Sequence, residues 1–176
     1  MTSSARSKSS SSKEKSQLPR DAIALLKADH RQVAAWFDEF ENSRSPDKKA
    51  TLAHQICKAL TAHTMIEEQI FYPAFLKATR DKALHHEAQI EHQGAKALIV
   101  QIENSGPRDE FFDSKVKVLS EMIKHHVKEE EQTDGMFAEA KKSKMDLVAL
   151  GREMQKRKQE ILGRGDEKSS APRRAA

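Results

Sequence analysis

Four stretches of this chain carry apolar residues at alternating steps of three and four, and each stretch has a histidine in the stripe. The first runs Ile23, Leu26, His30, Val33, Phe37, Phe40. The second runs Leu52, Ile56, Ala59, His63, Glu67, Ile70. The third is Leu84, Ala88, His92, Ala95, Ile99, Ile102, and the fourth is Phe112, Val116, Leu119, Ile123, His126, Glu130. Such steps mark amphipathic helices that bury one face. No segment alternates as a strand would. The expected fold is therefore all-α, an up-down-up-down four-helix bundle with short connections.

Punctuation sets the helix limits. Pro19 and Asp21 open the first helix, and Asn42 to Ser45 close it. Ser45, Pro46 and Asp47 read as an N-cap, a first-turn proline and a first-turn acid. The second helix should run to about Thr79, kinked or restarted at Pro73. The third spans roughly Lys82 to Asn104 and the fourth Arg108 to Gln132, with a break near Asp134 and Gly135. Ser143 to Asp146 resembles a capping box opening a last helix, Lys144 to Leu162, which ends before Gly163. That helix should pack outside the bundle through Leu147, Leu150, Met154 and Ile161.

Buried histidine and glutamate are costly unless something satisfies them. His63 and Glu67, like His126 and Glu130, stand four residues apart, so each pair shares a helix face with Cβ atoms about 6 Å apart. His30 and His92 lie about ten residues, roughly 15 Å, into their helices. The two pairs lie about 26 Å into helices running the other way, which brings all six residues towards one level. Imidazole and carboxylate together are good metal ligands. His30, His63, Glu67, His92, His126 and Glu130 exceed what one tetrahedral ion needs, and they suit two ions bridged by the glutamates. The absence of thiolate from the set favours iron or manganese over structural zinc.

The charge of +4 on 176 residues is uneven: +4 lies on residues 1–20 and +2 on residues 164–176, which leaves −2 for the rest. Both ends are rich in Ser, Lys and Arg, and residues 1–19 and 164–176 should be disordered tails. A basic arm can touch nucleic acid weakly, but no basic-aromatic motif accompanies it, so a solubilising tail is preferred. The bundle itself should occupy residues 20–142 and the outer helix 143–163. No apolar run is long enough to span a membrane and the N-terminus lacks a secretory h-region. The single cysteine, Cys57, reads as a half-buried helical residue and fits a reducing cytoplasm.

The same residues resemble the hemerythrin-like, HHE cation-binding domain. The resemblance rests on Leu26 to Val33 (LKADHRQV), His63 to Pro73 (HTMIEEQIFYP), Glu91-His92, His126 to Glu131 (HVKEEE) and the closing Leu150 to Lys158 (LGREMQKRK). It covers about residues 20 to 162. It implies a non-haem di-iron site with four terminal histidines, His30, His63, His92 and His126, and bridging Glu67 and Glu130. It also implies a small diatomic ligand or peroxide as the partner: the protein would bind, sense or react with oxygen, peroxide or nitric oxide. The alternatives are an iron-handling or iron-sensing module acting through a protein partner, and a metal-free structural bundle.

One departure stands out. The third helix of oxygen-carrying hemerythrins supplies two histidines four apart, whereas Ala88 and Lys96 flank His92 here. His85, seven residues before His92, is a poor substitute. Asp134-Gly135 also replaces the aromatic-proline that often follows the fourth-helix motif. A lost ligand leaves an open position, which favours chemistry or labile metal over clean reversible oxygen binding. His54, His86 and His125 should face solvent. Glu68, Glu91, Glu129 and Glu131 should be solvated or orient the imidazoles. Tyr72 can lie near the site or pack before the Pro73 kink, and packing is preferred.

Overall fold

The computed structural model describes residues 21–169, with side chains described as far as Gly163. Of the tails expected at residues 1–19 and 164–176, residues 1–19 and 170–176 lie outside that range. Helix α1 is Ala22–Asn42, α2 Pro46–Ile66, α3 Tyr72–Thr79, α4 Lys82–Glu103, α5 Phe112–Glu131, α6 Met136–Lys142 and α7 Leu147–Ser169. A five-residue π-helical turn, Glu67–Phe71, joins α2 to α3. Among the described residues there is no strand, and no helix is long and apolar enough to cross a membrane.

Helix α1 packs on α2, α2 on α4, α4 on α5 and α5 back on α1, which closes a four-helix bundle. Helix α7 lies outside, over α1 and α2. Its Met154 is fully buried there, with Leu147, Leu150 and Ile161 packed around it. Gly151 allows this approach, because a Cβ there would stand 2.6 Å from the Asp21 carbonyl carbon. The caps are local. Asp21 Oδ1 accepts from Ala24 N at 2.8 Å, Ser45 Oγ from Lys48 N at 3.3 Å and Asp81 Oδ1 from Leu84 N at 3.1 Å. Each such cap is worth about 1 kcal/mol.

Three boundaries differ from expectation. The fourth helix starts at Phe112 rather than Arg108, because Asp109 turns the chain first and accepts from Phe111 N. The last helix is capped by Asp146, whose Oδ1 accepts from Ala149 N at 2.9 Å, while Ser143 Oγ turns back to the Ala140 carbonyl. That helix also passes Gly163 and continues to Ser169.

Cys57 is fully buried rather than half-buried, and burial, aided by Glu103, pushes its thiol up to about 12. It is therefore an inert packing residue.

The core falls into two apolar clusters. One holds Val33, Phe37, Phe40, Leu52, Ile56, Leu60, Ile99, Ile102, Phe112, Val116, Leu119 and Ile123. The other holds Ile23, Leu26, Ile66, Phe71, Tyr72, Phe75, Met136, Phe137 and Met154. Along α1, α2 and α4 the stripe passes from one cluster to the other through a histidine, while on α5 it ends at His126 and Glu130 and α6 supplies the second cluster. The polar residues thus form a single layer between two dry ones.

Candidate metal centre

All six sequence-predicted residues are buried in that layer. They form two histidine pairs. His30 Nε2 and His63 Nε2 lie 3.2 Å apart, as do His92 Nε2 and His126 Nε2. Glu67 Oε2 is 3.2 Å from His63 Nε2 and 3.3 Å from His92 Nε2. Glu130 Oε2 is 3.5 Å from His30 Nε2 and 3.6 Å from His126 Nε2. Each carboxylate therefore touches one histidine of each pair.

The outward ring nitrogens are held by carboxylates. His30 Nδ1 meets Glu131 at 2.8 Å, His63 Nδ1 meets Asp29 at 3.4 Å, His92 Nδ1 meets Glu68 at 3.1 Å and His126 Nδ1 meets Glu91 at 2.7 Å. A carboxylate on Nδ1 holds the proton there and turns the Nε2 lone pair inward, the usual arrangement behind a ligating imidazole. Three of these carboxylates are themselves anchored by lysine: Glu131 by Lys27 at 2.7 Å, Glu68 by Lys96 at 2.5 Å and Asp29 by Lys158 of α7. Glu68, Glu91 and Glu131 thus orient rings, whereas Glu129 pairs with exposed His125. His54, His86 and His125 are exposed, as expected.

This donor set fits cations. Four neutral imidazoles with Nδ1 protonated present only lone pairs to the interior, and two carboxylates join them. Among the described residues, both oxygens of Glu67 and Oε2 of Glu130 have no hydrogen-bond partner. Unmatched buried acceptors of this kind cost several kcal/mol in total. Without metal, protons relieve only part of the conflict. Burial opposes charge on His63, but Glu67 and Asp29 outweigh it and lift the ring to about 10. Burial and the nearby His63 charge drop His30 to about 4. Burial and the Glu67 charge push the Glu130 carboxyl up to about 8.

A pH dependence follows from those values. A ligand must shed its proton to bind metal. At neutral pH the metal-free protein holds protons on His63 and Glu130, because both groups titrate above it. Metal affinity should therefore rise as pH climbs towards about 8 and beyond, and fall in acid. Loading metal-free protein in weak buffer at neutral pH should release at least about two protons per chain, one each from His63 and Glu130, with His126, also raised, adding to them. An indicator dye measures this, and the absence of release would mean that both donors were already free.

The sequence reading preferred plain packing for Tyr72 over a place at the site. Its hydroxyl stands 3.2 Å from His92 Nε2 and 3.3 Å from Glu130 Oε1, inside the layer. Burial and the charges of Glu67 and Glu130 hold its pKa well above the ordinary value, so it stays a neutral donor. The π-helical turn explains the miss. It adds a residue to the turn after Glu67, so the stripe continues to Phe71 and Tyr72, both fully buried, while Ile70 is only partly buried. The irregularity begins at Glu67 and not at Pro73, which sits harmlessly in the first turn of α3. Only a fixed period was extrapolated; Pro73 was the available warning. Helix α6 was missed too. It stacks Phe137 on the His30 ring at 5.8 Å and closes that end of the layer.

The replaced third-helix positions are not ligands. Ala88 has no donor, and Lys96 Nζ turns away to both Glu68 oxygens at 2.5 and 2.6 Å. His85 lies outside the ligand layer, its ring against the edge of Tyr72 with centroids 5.9 Å apart.

Comparison with known proteins agrees with this geometry. The hemerythrin HHE cation binding domain family matches residues 21–138. A crystal structure of a hemerythrin HHE cation binding domain-containing protein from Mycobacterium kansasii superposes with a TM-score of 0.69 at 20% identity, over 84% of this chain and 91% of that one. An uncharacterised hemerythrin-like protein of Schizosaccharomyces pombe is 24% identical over 144 residues, 81% of this chain and 70% of its own. A DNA nickase of Nostoc sp. is 31% identical over 109 residues, 62% of this chain. The match spans only 31% of the nickase's length. The chain belongs to the hemerythrin HHE family of cation-binding domains.

Proposed function

We propose that the domain holds two non-haem iron ions and acts on a small oxidant: dioxygen, peroxide or nitric oxide. The observation that carries this is the placing of Glu67 and Glu130, each within about 3.6 Å of one histidine from both pairs. One ion would rest on His30 and His63 and the other on His92 and His126, with the two carboxylates between them. Manganese suits the same donors. A pair of redox-active ions supplies electron transfer and open positions for a small molecule.

The protein's own residues favour a small partner. A cavity of about 10 Å³ lies against all four histidines and is otherwise walled largely by Val33, Leu60, Ile123 and Val127. That is about the room one water needs, and the apolar wall gives water few partners. Tyr72 adds a hydroxyl on the His92 side, where the third helix offers no second histidine. Its role is to donate a hydrogen bond into the layer. Strand nicking is the named activity of the Nostoc protein, most of which lies beyond the match, and nothing in this site calls for it.

The test is metal analysis of protein from iron-fed cells, with absorption spectra and peroxide consumption. The expected result is two irons per chain, ferric bands in the near ultraviolet and visible, and peroxide turnover. Tyr72→Phe should keep both irons and change the spectrum or the turnover. One iron or none per chain would overturn the reading. Two irons without any reaction would favour the iron-handling alternative.

A further inference from the structure

The outward face of α4 is uncharged, in a chain where 33% of residues carry a charge. Between Ala88 and Ile102 its exposed residues are Gln89, Ile90, Gln93, Ala97, Val100 and Gln101. Ile90 is 68% exposed and Val100 55%. Only two acidic or basic side chains lie in this stretch, and both are engaged on its flanks. Glu91 holds His126 at 2.7 Å, and Lys96 holds Glu68 at 2.5 Å. The exposed residues of α1, by contrast, include Arg31, Asp38, Glu39 and Glu41. The apolar surface continues onto α5. Met122 meets α4 at Gly94, where a Cβ would stand 2.7 Å from Met122 Cε. Val118, one turn before Met122, and Phe111, two turns before Val118, are exposed on that same side of α5.

A contiguous exposed apolar face marks a partner, and the order of residues along α4 says which. Paired by chemistry, the six exposed residues fall symmetrically about Ala95: Gln89 with Gln101, Ile90 with Val100, and Gln93 with Ala97. A two-fold axis crossing α4 at that level lays the helix antiparallel on its own copy, and each residue then meets its counterpart. Amide faces amide and aliphatic faces aliphatic. No charge is set against its own kind across the axis. The extent also suits a second copy. Two helices about 30 Å long and about 10 Å apart present a face of roughly 600 Å². A standard interface covers about 800 Å² on each partner, which is close to that.

We propose that this face is the interface of a two-fold homodimer, with α4 packed antiparallel on the α4 of a second copy. Ile90 and Val100 supply the apolar contact at each end of the crossing. Gly94 and Ala97, small and between them, let the two backbones come close. Met122 and Val118 widen the contact on the α5 side. The pairing does not depend on the metal centre, since its residues are exposed and the six ligand residues are buried.

The test is sedimentation equilibrium of the full-length protein over a range of concentrations. Wild type should reach twice the 19.9 kDa of one chain. Ile90→Glu and Val100→Lys should each weaken the pairing at least about 100-fold, because each leaves an unpaired charge inside the interface. The two substitutions together should restore the dimer, because the new carboxylate of one copy then meets the new ammonium of the other. Val148→Glu, exposed on α7 and away from this face, is the control and should leave the dimer intact. Circular dichroism should show the same helix content throughout, since every replaced side chain is exposed. A monomer at every concentration, or a dimer that survives Ile90→Glu, would overturn the proposal. Single variants that dissociate, with no rescue in the double, would overturn the antiparallel pairing. Assemblies larger than two would mean a head-to-tail contact and overturn the closed pair.

Discussion

Glu67→Gln is expected to empty both halves of the centre while leaving the bundle folded. Among the described residues, the Glu67 carboxylate alone is shown within 3.3 Å of one histidine from each pair. Replacing it removes a charge that both halves share. Loss of a supporting carboxylate alone typically weakens a metal site 10- to 100-fold, so loss of a direct one should cost at least about 100-fold. The amide keeps the shape but loses the charge that pairs with protonated His63 in the metal-free protein. The metal-free variant should therefore stay folded but melt somewhat lower than metal-free wild type. Added metal should raise the melting temperature of wild type and leave the variant unmoved, because a ligand stabilises only the state that binds it. Calorimetric melts with and without metal, together with metal content, decide this. A variant that retained its metal would remove Glu67 from the ligand set, and a wild type indifferent to metal would leave the six residues as packing.

Gly135→Ala should have the largest effect on stability of any single-methyl addition here. A Cβ at this position would stand 2.1 Å from the Glu129 carbonyl oxygen and 2.9 Å from that of Glu130. Its φ of −78° suits any residue, so the cost is steric and not conformational. Both obstacles are backbone, so the end of α5 must shift. Overpacking of this kind costs about 1–3 kcal/mol, or roughly 5 °C or more in melting temperature for a domain of this size. The shift also carries Glu130 away from His30 and His126, so metal content should fall with stability. Gly106→Ala is the control, since its Cβ would meet nothing within 4 Å. Equal melting temperatures for the two variants would show that the α5 end yields freely.

What the sequence made legible was whatever repeats with the helix. His30 follows Leu26 and precedes Val33 at seam spacing, so its depth was readable without coordinates. The same holds for His63 with Glu67 and for His126 with Glu130. Tyr72 was hidden because a π turn breaks the period it would have obeyed. The short helix carrying Phe137 was hidden because seven residues give too few turns to show a stripe. The lysines behind Glu131, Glu68 and Asp29 were out of reach for another reason. Lys27, Lys96 and Lys158 meet their acids across helices separated by 104, 28 and 129 residues, and local patterning does not encode such pairings.

Lys158 gives the outermost helix a stake in the innermost layer. It reaches from α7 to Asp29, and Asp29 holds the His63 ring. Two equilibria meet in that chain of contacts: α7 resting on or lifting from the bundle, and His63 aligned or free to rotate. Coupling of this sort is reciprocal. Anything that displaced the last helix would loosen the hold on His63, so the seating of the C-terminal helix and the aim of a buried ring are one setting.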